Sequence, residues 1–405
     1  MSSQAIRASQ ITREIVSSLP KLLDSQILLI YGILACIGLI MVTSASIGVA
    51  DAIKDDPFYY GKRQFLRLIL GVLLMWIAYR VPTKIWKDNG MILMLSSLFL
   101  LALVLVPGLG RTVNGATRWL DLQVFTIQVS EIAKLFLIIY LSGYLIRRAD
   151  EIKSGLKGFI KPMIILAMAS GLLILEPDFG AAAVLLMTGL GMIFLGGVQF
   201  RQFFVFVIGT LSIMVLLVLV SPYRMARVTS FLDPWADPFS SGFQLTQSLI
   251  AIGSGGIYGT GLGGSIQKLF YLPEAHTDFL FAIYSEEFGL LGVAFLILIY
   301  TWFALRCFQI GKTALNKDKP FGAYLVYGVG LLVSIQAVIN MGVNMGALPT
   351  KGLTLPFISY GGNSILVMSL AVGLVLRVHY ENCEIQDETK KPKKHSRLTK
   401  AVNNG

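Results

Sequence analysis

The chain has 405 residues, of which 55% are hydrophobic and only 14% charged, with a mean hydropathy of +0.70. A soluble domain carries about 25% charged residues, so this composition excludes an ordinary soluble protein, and continuous apolar runs such as FVFVIGTLSIMVLLVLV from Phe204 exclude a transmembrane barrel, whose segments alternate. The net charge of +11 lies in short loops and a tail rather than on one basic face, which argues against nucleic acid as a partner.

Residues 1–25 read as a cytoplasmic segment. The first apolar run, 26–47, is long enough to span a bilayer and lacks a small-residue cleavage pattern, so it reads as an uncleaved anchor. Hydropathy then predicts spans at 64–80, 91–106, 127–146, 162–176, 179–196, 202–221, 279–305, 321–345 and 362–378, about ten in all. The expected class is an all-α polytopic membrane protein whose membrane domain runs over 26–380.

Polar residues punctuate these spans. Arg63 precedes the second, with Arg67 one turn further on the same helix face. The loop 107–126 carries GATRWLDL, with Arg118 inside it. In the fourth span Glu131 and Lys134 are spaced i, i+3 and share a face, with Gln128 and Ser130 close by. They make either a neutralised structural pair or a cationic site for an anionic ligand. Glu176-Pro177-Asp178 breaks an apolar stretch and reads as a tight hairpin between the fifth and sixth spans.

The largest loop, 222–278, opens with turn chemistry and an interfacial tryptophan in FLDPWADPFSSGFQ. Its glycine run, IAIGSGGIYGTGLGGSIQK, lacks the G-K-[ST] ending of a phosphate loop and reads as close backbone packing or re-entrant turns. YLPEAHTDF follows, with Lys268 upstream. Asp278 begins an apolar helix, where a carboxylate suits an N-cap. The same group, desolvated at a membrane surface, suits a general base. His276 and Thr277 precede it. Glu286 and Glu287 lie about 12 Å into that helix at 1.5 Å per residue, and at least one must find a partner in the bundle interior.

A third loop, 348–364, holds Lys351 in LPTKGLTLPFISYGGNS. The tail 381–405, with its KKPKKHSR run, reads as disordered and basic, either touching anionic membrane lipid or simply fixing topology. Cys36, Cys307 and Cys383 form no loop pair, so neither a disulfide framework nor a zinc site is expected.

Lys and Arg are concentrated in the segments that would be cytoplasmic if the N-terminus is inside, which predicts that both termini are cytoplasmic. The three long loops then face outward, and Asp178, Glu131, Lys134, Asp278 and Glu286 fall in the outer half.

The motifs LEPDFGAA, FLDPWADPFSSGFQLTQSLIAIGSGG, GTGLGGSIQKLFYLPEAHTDFLFA, EEFGLLG and LPTKGLTLPFISYGGNS resemble those of the SEDS family of shape, elongation, division and sporulation proteins. The likeness runs from the first span to the last, and GLGGSIQK, YLPEAHTDF and LPTKGLTLPFISYGG are closer to the division branch than to the elongation branch. Asn363 in YGGNS departs from the more usual serine. The resemblance implies a SEDS-type bundle of ten helices with a large outer loop between the seventh and eighth. It also implies a peptidoglycan glycosyltransferase that polymerises lipid II at the outer face of the bacterial cytoplasmic membrane, at the septum, releasing undecaprenyl diphosphate. The catalytic aspartate of the family falls on Asp278, and its polar fourth-span positions on Glu131 and Lys134. A class B penicillin-binding protein and other division proteins are the implied partners.

On chemical grounds one base and a cationic clamp suffice, because diphosphate is already a good leaving group, unlike the leaving group of glycoside hydrolysis. Asp278 is the expected base. Lys134, Glu131, Arg63, Arg118, Lys268, His276, Thr277 and Lys351 are the expected substrate-binding set, and Glu286, Glu287 and Asp178 the supporting one. No resident metal is expected, although a divalent cation such as Mg or Mn could serve at the diphosphate. A lipid II flippase and a non-catalytic scaffold for the penicillin-binding protein are the competing readings.

Overall fold

The computed structural model describes residues 23–113, 116–121, 126–154, 156–220, 225, 229–240, 242–349 and 352–390. Its helices are α1 (Ser25–Lys54), α2 (Tyr59–Arg80), α3 (Thr83–Asp88), α4 (Gly90–Val104), α5 (Val129–Arg147), α6 (Ala149–Ser154), α7 (Leu156–Leu175), α8 (Phe179–Leu195), α9 (Phe200–Leu219), α10 (Phe243–Ser254), α11 (Leu280–Leu315), α12 (Pro320–Asn344) and α13 (Gly362–Lys390). Among the described residues six helices are long and apolar enough to cross a membrane: α1, α5, α7, α11, α12 and α13. The apolar parts of α4, α8 and α9 are shorter. α2 carries Lys62, Arg63 and Arg67 in its first turns, which dilutes its hydropathy. These ten helices coincide with the ten apolar runs of the sequence.

α12 lies at the centre, packed on α11, α8, α5 and α13, while α13 lies along α2 and α4 along α5. The two ends of the bundle are chemically distinct. Asp24, ahead of α1, caps that helix through the Ile27 N–H at 2.9 Å and accepts from Arg306 of α11, with His379 of α13 at 3.4 Å. The start of α1 and the later turns of α13 therefore share one end. The loops before α5, α8, α11 and α13 gather at the other.

Four features depart from the sequence expectation. The stretch expected as a plain loop at 107–126 forms an antiparallel sheet of β1 (Gly110–Val113), β2 (Ala116–Asp121) and β3 (Thr126–Gln128), in the order β1-β2-β3. Its strands are too short to show a period of two in the sequence. The large outer loop contains α10, whose Leu245, Thr246, Ser248 and Ala251 are buried. The last helix runs to Lys390, past the predicted end of the membrane domain at 380, because Arg377 and Glu381 pair i, i+4 and Glu381 also accepts from the Thr83 N–H and hydroxyl. Asp278 is not the N-cap of α11: that position is Phe279, which makes no side-chain cap. The basic tail beyond Lys390 lies outside the described residues, as do Arg7, Arg13 and Lys21.

α11 is broken at Gly289, where φ is 63° and ψ −164°. The N–H groups of Leu290 and Leu291 leave the helix ladder and donate to the carbonyls of Gly256 and Ile257, at 2.9 and 3.2 Å. The carbonyls of Glu286 and Glu287 accept instead from Thr260 and Gly261, both at 3.0 Å. The glycine run thus replaces the hydrogen bonds that the kink removes, as a broken helix at membrane depth requires. A Cβ at Gly289 would lie 2.4 Å from the Gly259 nitrogen. We expect Gly289→Ala to destabilise the protein by about 1–3 kcal/mol through the left-handed backbone and the clash, seen as a lower melting temperature of the detergent-purified protein. An unchanged melting temperature would show that the clasp yields.

Candidate active site

Asp278 sits between α10 and α11, two residues before the first helical turn. Its main-chain carbonyl accepts from the side-chain amides of Asn340 at 2.9 Å and Asn344 at 3.1 Å, both on α12. Its half-buried carboxylate faces Gly352, where an added Cβ would meet Asp278 Oδ2 at 2.8 Å and Arg118 Nη1 at 3.7 Å. Only glycine leaves that space open, so Asp278 and Arg118 flank one gap.

The other side of the gap is set by the α7–α8 hairpin. Arg118 projects from β2, donates to the Pro177 carbonyl at 2.7 Å and lies 3.8 Å from Asp178. Asp178 caps α8 through the Ala181 N–H at 3.2 Å. Glu176, two residues earlier, is fully buried, and among the described residues neither of its oxygens has a hydrogen-bond partner. Burial, reinforced by the charge of Asp178, pushes its carboxyl up to about 8 against Arg118, so it is protonated at neutral pH. Asp278 is raised to about 7, first by burial and then by Glu274, with Arg118 pulling the other way. A carboxyl poised there suits proton transfer near neutrality.

Beside Asp278 lies an aromatic wall. His276 is 4.6 Å from the Tyr60 ring and 5.7 Å from that of Tyr360, whose N–H donates to the His276 carbonyl at 3.0 Å. Burial holds the His276 imidazole below its usual range, although Glu274 raises it. The Thr277 hydroxyl donates to Glu274 at 2.7 Å. The Arg67 guanidinium stacks 4.4 Å over Tyr360, and among the described residues neither its buried Nη1 nor the amide of the fully buried Gln64 has a hydrogen-bond partner.

The structure therefore brings Asp278, Arg118, Asp178, His276 and Thr277 together. The other expected residues stand elsewhere or are engaged. Lys134 is fully buried, 2.9 Å from Glu131 and 2.7 Å from Gln336. Lys268 reaches Glu287 at 2.7 Å and Ser44 of α1 at 2.9 Å. Glu286 accepts from the Ser265 hydroxyl and from the N–H groups of Ile266 and Gln267. Arg63 is exposed and stacks 4.4 Å over Tyr59. Lys351 lies outside the described residues. Sequence reasoning passed over Gly352, Gln336, Asn340 and Asn344, and it noted Glu176 only as part of a hairpin and Arg67 only as a neighbour of Arg63. The signal for the α12 residues was present: three amides at i, i+4 and i+8 in an apolar helix share one face and need partners.

A divalent ion on a diphosphate needs one or two protein carboxylates. Among the described residues no group of three or more His, Cys, Asp or Glu is placed to hold a metal. Asp178 is spent on its helix cap and Arg118, which leaves Asp278 with Glu274 nearby.

A bundle of apolar helices with Asp278 and Arg118 across one gap among its loops defines a polytopic integral membrane protein. The family described as cell cycle protein, which groups FtsW, RodA and SpoVE, matches residues 24–384, and the chain belongs to that family. It is 56% identical over 348 residues to the probable peptidoglycan glycosyltransferase FtsW of Thioalkalivibrio sulfidiphilus, covering 86% of this chain and 87% of that protein. The protein of the same description from Coxiella burnetii is 51% identical, over 86% of this chain and 94% of its own. A solved chain from a peptidoglycan synthase complex that coordinates polymerization and crosslinking aligns with a TM-score of 0.72 at 28% identity, covering 89% of this chain and 98% of that one. The rod shape determining protein RodA of Thermus thermophilus aligns with a TM-score of 0.66 at 26% identity, covering 89% and 97%.

Glu274 raises Asp278, so neutralising it should lower Asp278. A base works as its carboxylate, and activity falls as pH drops through its pKa. We expect the acidic limb of the pH–rate profile to lie near 7 and to move to lower pH in Glu274→Gln, which keeps an acceptor for Thr277. A limb that stays put would show that Glu274 does not act on the base.

Proposed function

We propose that this protein polymerises lipid II into glycan strands at the outer face of the bacterial cytoplasmic membrane during septal wall synthesis. The observation that carries the reading is Asp278: one carboxyl, tuned to about 7, pinned by its carbonyl and facing Arg118 across a glycine. The names of the relatives point to the same class of enzyme.

In this reaction the 4-hydroxyl of an acceptor N-acetylglucosamine attacks the anomeric carbon of the donor. Asp278 accepts the hydroxyl proton as the new glycosidic bond forms. The bond from the anomeric carbon to the diphosphate oxygen breaks, and undecaprenyl diphosphate leaves with the electron pair. Arg118 stands where it can face that growing negative charge, and Arg67, whose buried Nη1 has no hydrogen-bond partner among the described residues, is a second cation on the same side of α2 and α13. Protonated Glu176 keeps the neighbourhood of Arg118 from being over-neutralised. Lipid tails held along the apolar helices would orient both sugars.

The reading includes a multi-pass protein with both termini cytoplasmic. It also includes a class B penicillin-binding protein as the crosslinking partner, supported by the likeness to the synthase complex, together with other division proteins and membrane lipid. A positioned base contributes about 10²–10⁴-fold. In the complex with the penicillin-binding protein, supplied with lipid II, Asp278→Asn should slow glycan formation by about that factor. Strands formed at the wild-type rate would remove the general base.

A further inference from the structure

Lys134 has a defined task that does not require it to meet substrate. Its side chain is 1% exposed, and two of its donors are taken by Glu131 Oε1 and Gln336 Oε1. An ammonium carries donors only, so it decides which end of the Gln336 amide faces it. The amide nitrogen of Gln336 must then point away, and it donates to the Thr354 carbonyl at 3.0 Å. One turn on, the Asn340 amide nitrogen donates to the carbonyls of Leu353 and Asp278. A further turn on, that of Asn344 donates to the Asp278 carbonyl at 3.1 Å and the Asn340 carbonyl at 2.9 Å. The three amides form a ladder along one face of α12 that holds two loops in register. One loop contains Asp278, and the other contains Gly352, against which its carboxylate rests.

We infer that Lys134 is a positioning residue: through Gln336 it holds the Thr354 carbonyl, and with it the loop whose Gly352 lies against Asp278 and Arg118, while Asn340 and Asn344 hold Asp278 itself. The inference rests on the reading of Asp278 as base and deepens it. It separates Lys134 from the cations that face the diphosphate.

Lys134→Met would leave Glu131 buried without its partner, which is destabilising by itself, so two other variants carry the test. The double variant Glu131→Gln/Lys134→Gln removes both charges but keeps a donor for Gln336. Steady-state polymerisation of lipid II in the complex with the penicillin-binding protein should show kcat within about tenfold of wild type and an unchanged KM, because a neutral hydrogen bond takes the place of a charge-assisted one at the same Gln336 oxygen. Gln336→Glu still accepts from Lys134 but has no donor for Thr354. It should lower kcat by about 10–100-fold at nearly constant KM, the cost of about an ångström of misplacement, and should move the acidic limb of the pH profile. A merely structural role would move neither the limb nor the balance between kcat and KM. A double variant without activity, or one whose KM rises tenfold or more, would show that the Lys134 charge meets substrate and would overturn the inference, as would Gln336→Glu with wild-type kcat and pH profile. Asp278→Asn run alongside keeps the two failures apart. If it is inactive while the ladder variants behave as overturning, only the ladder falls. If it polymerises normally, the base falls first.

Discussion

Asn340 and Asn344 stand one turn apart on α12, and both donate to the carbonyl oxygen of Asp278. This pair of hydrogen bonds ties the chain just ahead of α11 to α12, the helix at the centre of the bundle. Without it the segment entering α11 would have no side-chain cap to hold it, because Phe279 supplies none. An apolar interior leaves polar groups unsatisfied unless the protein pairs them. Here that requirement and the needs of the site coincide: the groups that must be paired are the ones that place the carboxylate.

The same logic runs through the glycine clasp. Breaking α11 at Gly289 frees two carbonyls and two N–H groups, and the glycine run satisfies all four with its own backbone. Glu286 and Glu287 then hold residues 265–268 from the helix side, and Lys268 carries the tie on to Ser44 of α1. The loop that leads to Asp278 is therefore anchored at both ends, by α11 at its start and by α12 at its finish. A loop held in this way can present a reactive group at a membrane surface without a separate folded domain.

The charges of the molecule divide by how completely they are closed. Lys134 with Glu131, Lys268 with Glu287 and Arg306 with Asp24 are ion pairs in which at least one partner is buried, and each joins or braces helices. Such pairs are strongly destabilising to break, although their net stabilisation is small. Arg118, Asp278 and Glu176 form a looser group: a guanidinium bonded to a main-chain carbonyl and 3.8 Å from Asp178, a half-buried carboxyl raised to about 7, and a second carboxyl raised to about 8. Acid–base chemistry belongs to the second kind, because a group locked in a tight ion pair cannot exchange its proton near neutral pH.

Hydropathy by itself determined the helical membrane class and the positions of all ten long helices, because burial in lipid writes itself as uninterrupted apolar length. The motifs around Asp278 singled out the candidate segment, while the glycine run ahead of it has a structural task, closing the break in α11. The sheet of 110–128 and the helix α10 were hidden, their periods too short or too mixed to stand out. Which cations face the site and which are closed in pairs was decided only in three dimensions. The sequence left Lys134 open between a neutralised pair and a site for an anion; in the structure it is sealed against Glu131 and Gln336, while Arg118 lies across a glycine from Asp278. The physical reason is that a charge's role depends on its partners, and in this protein those partners come from segments up to hundreds of residues away.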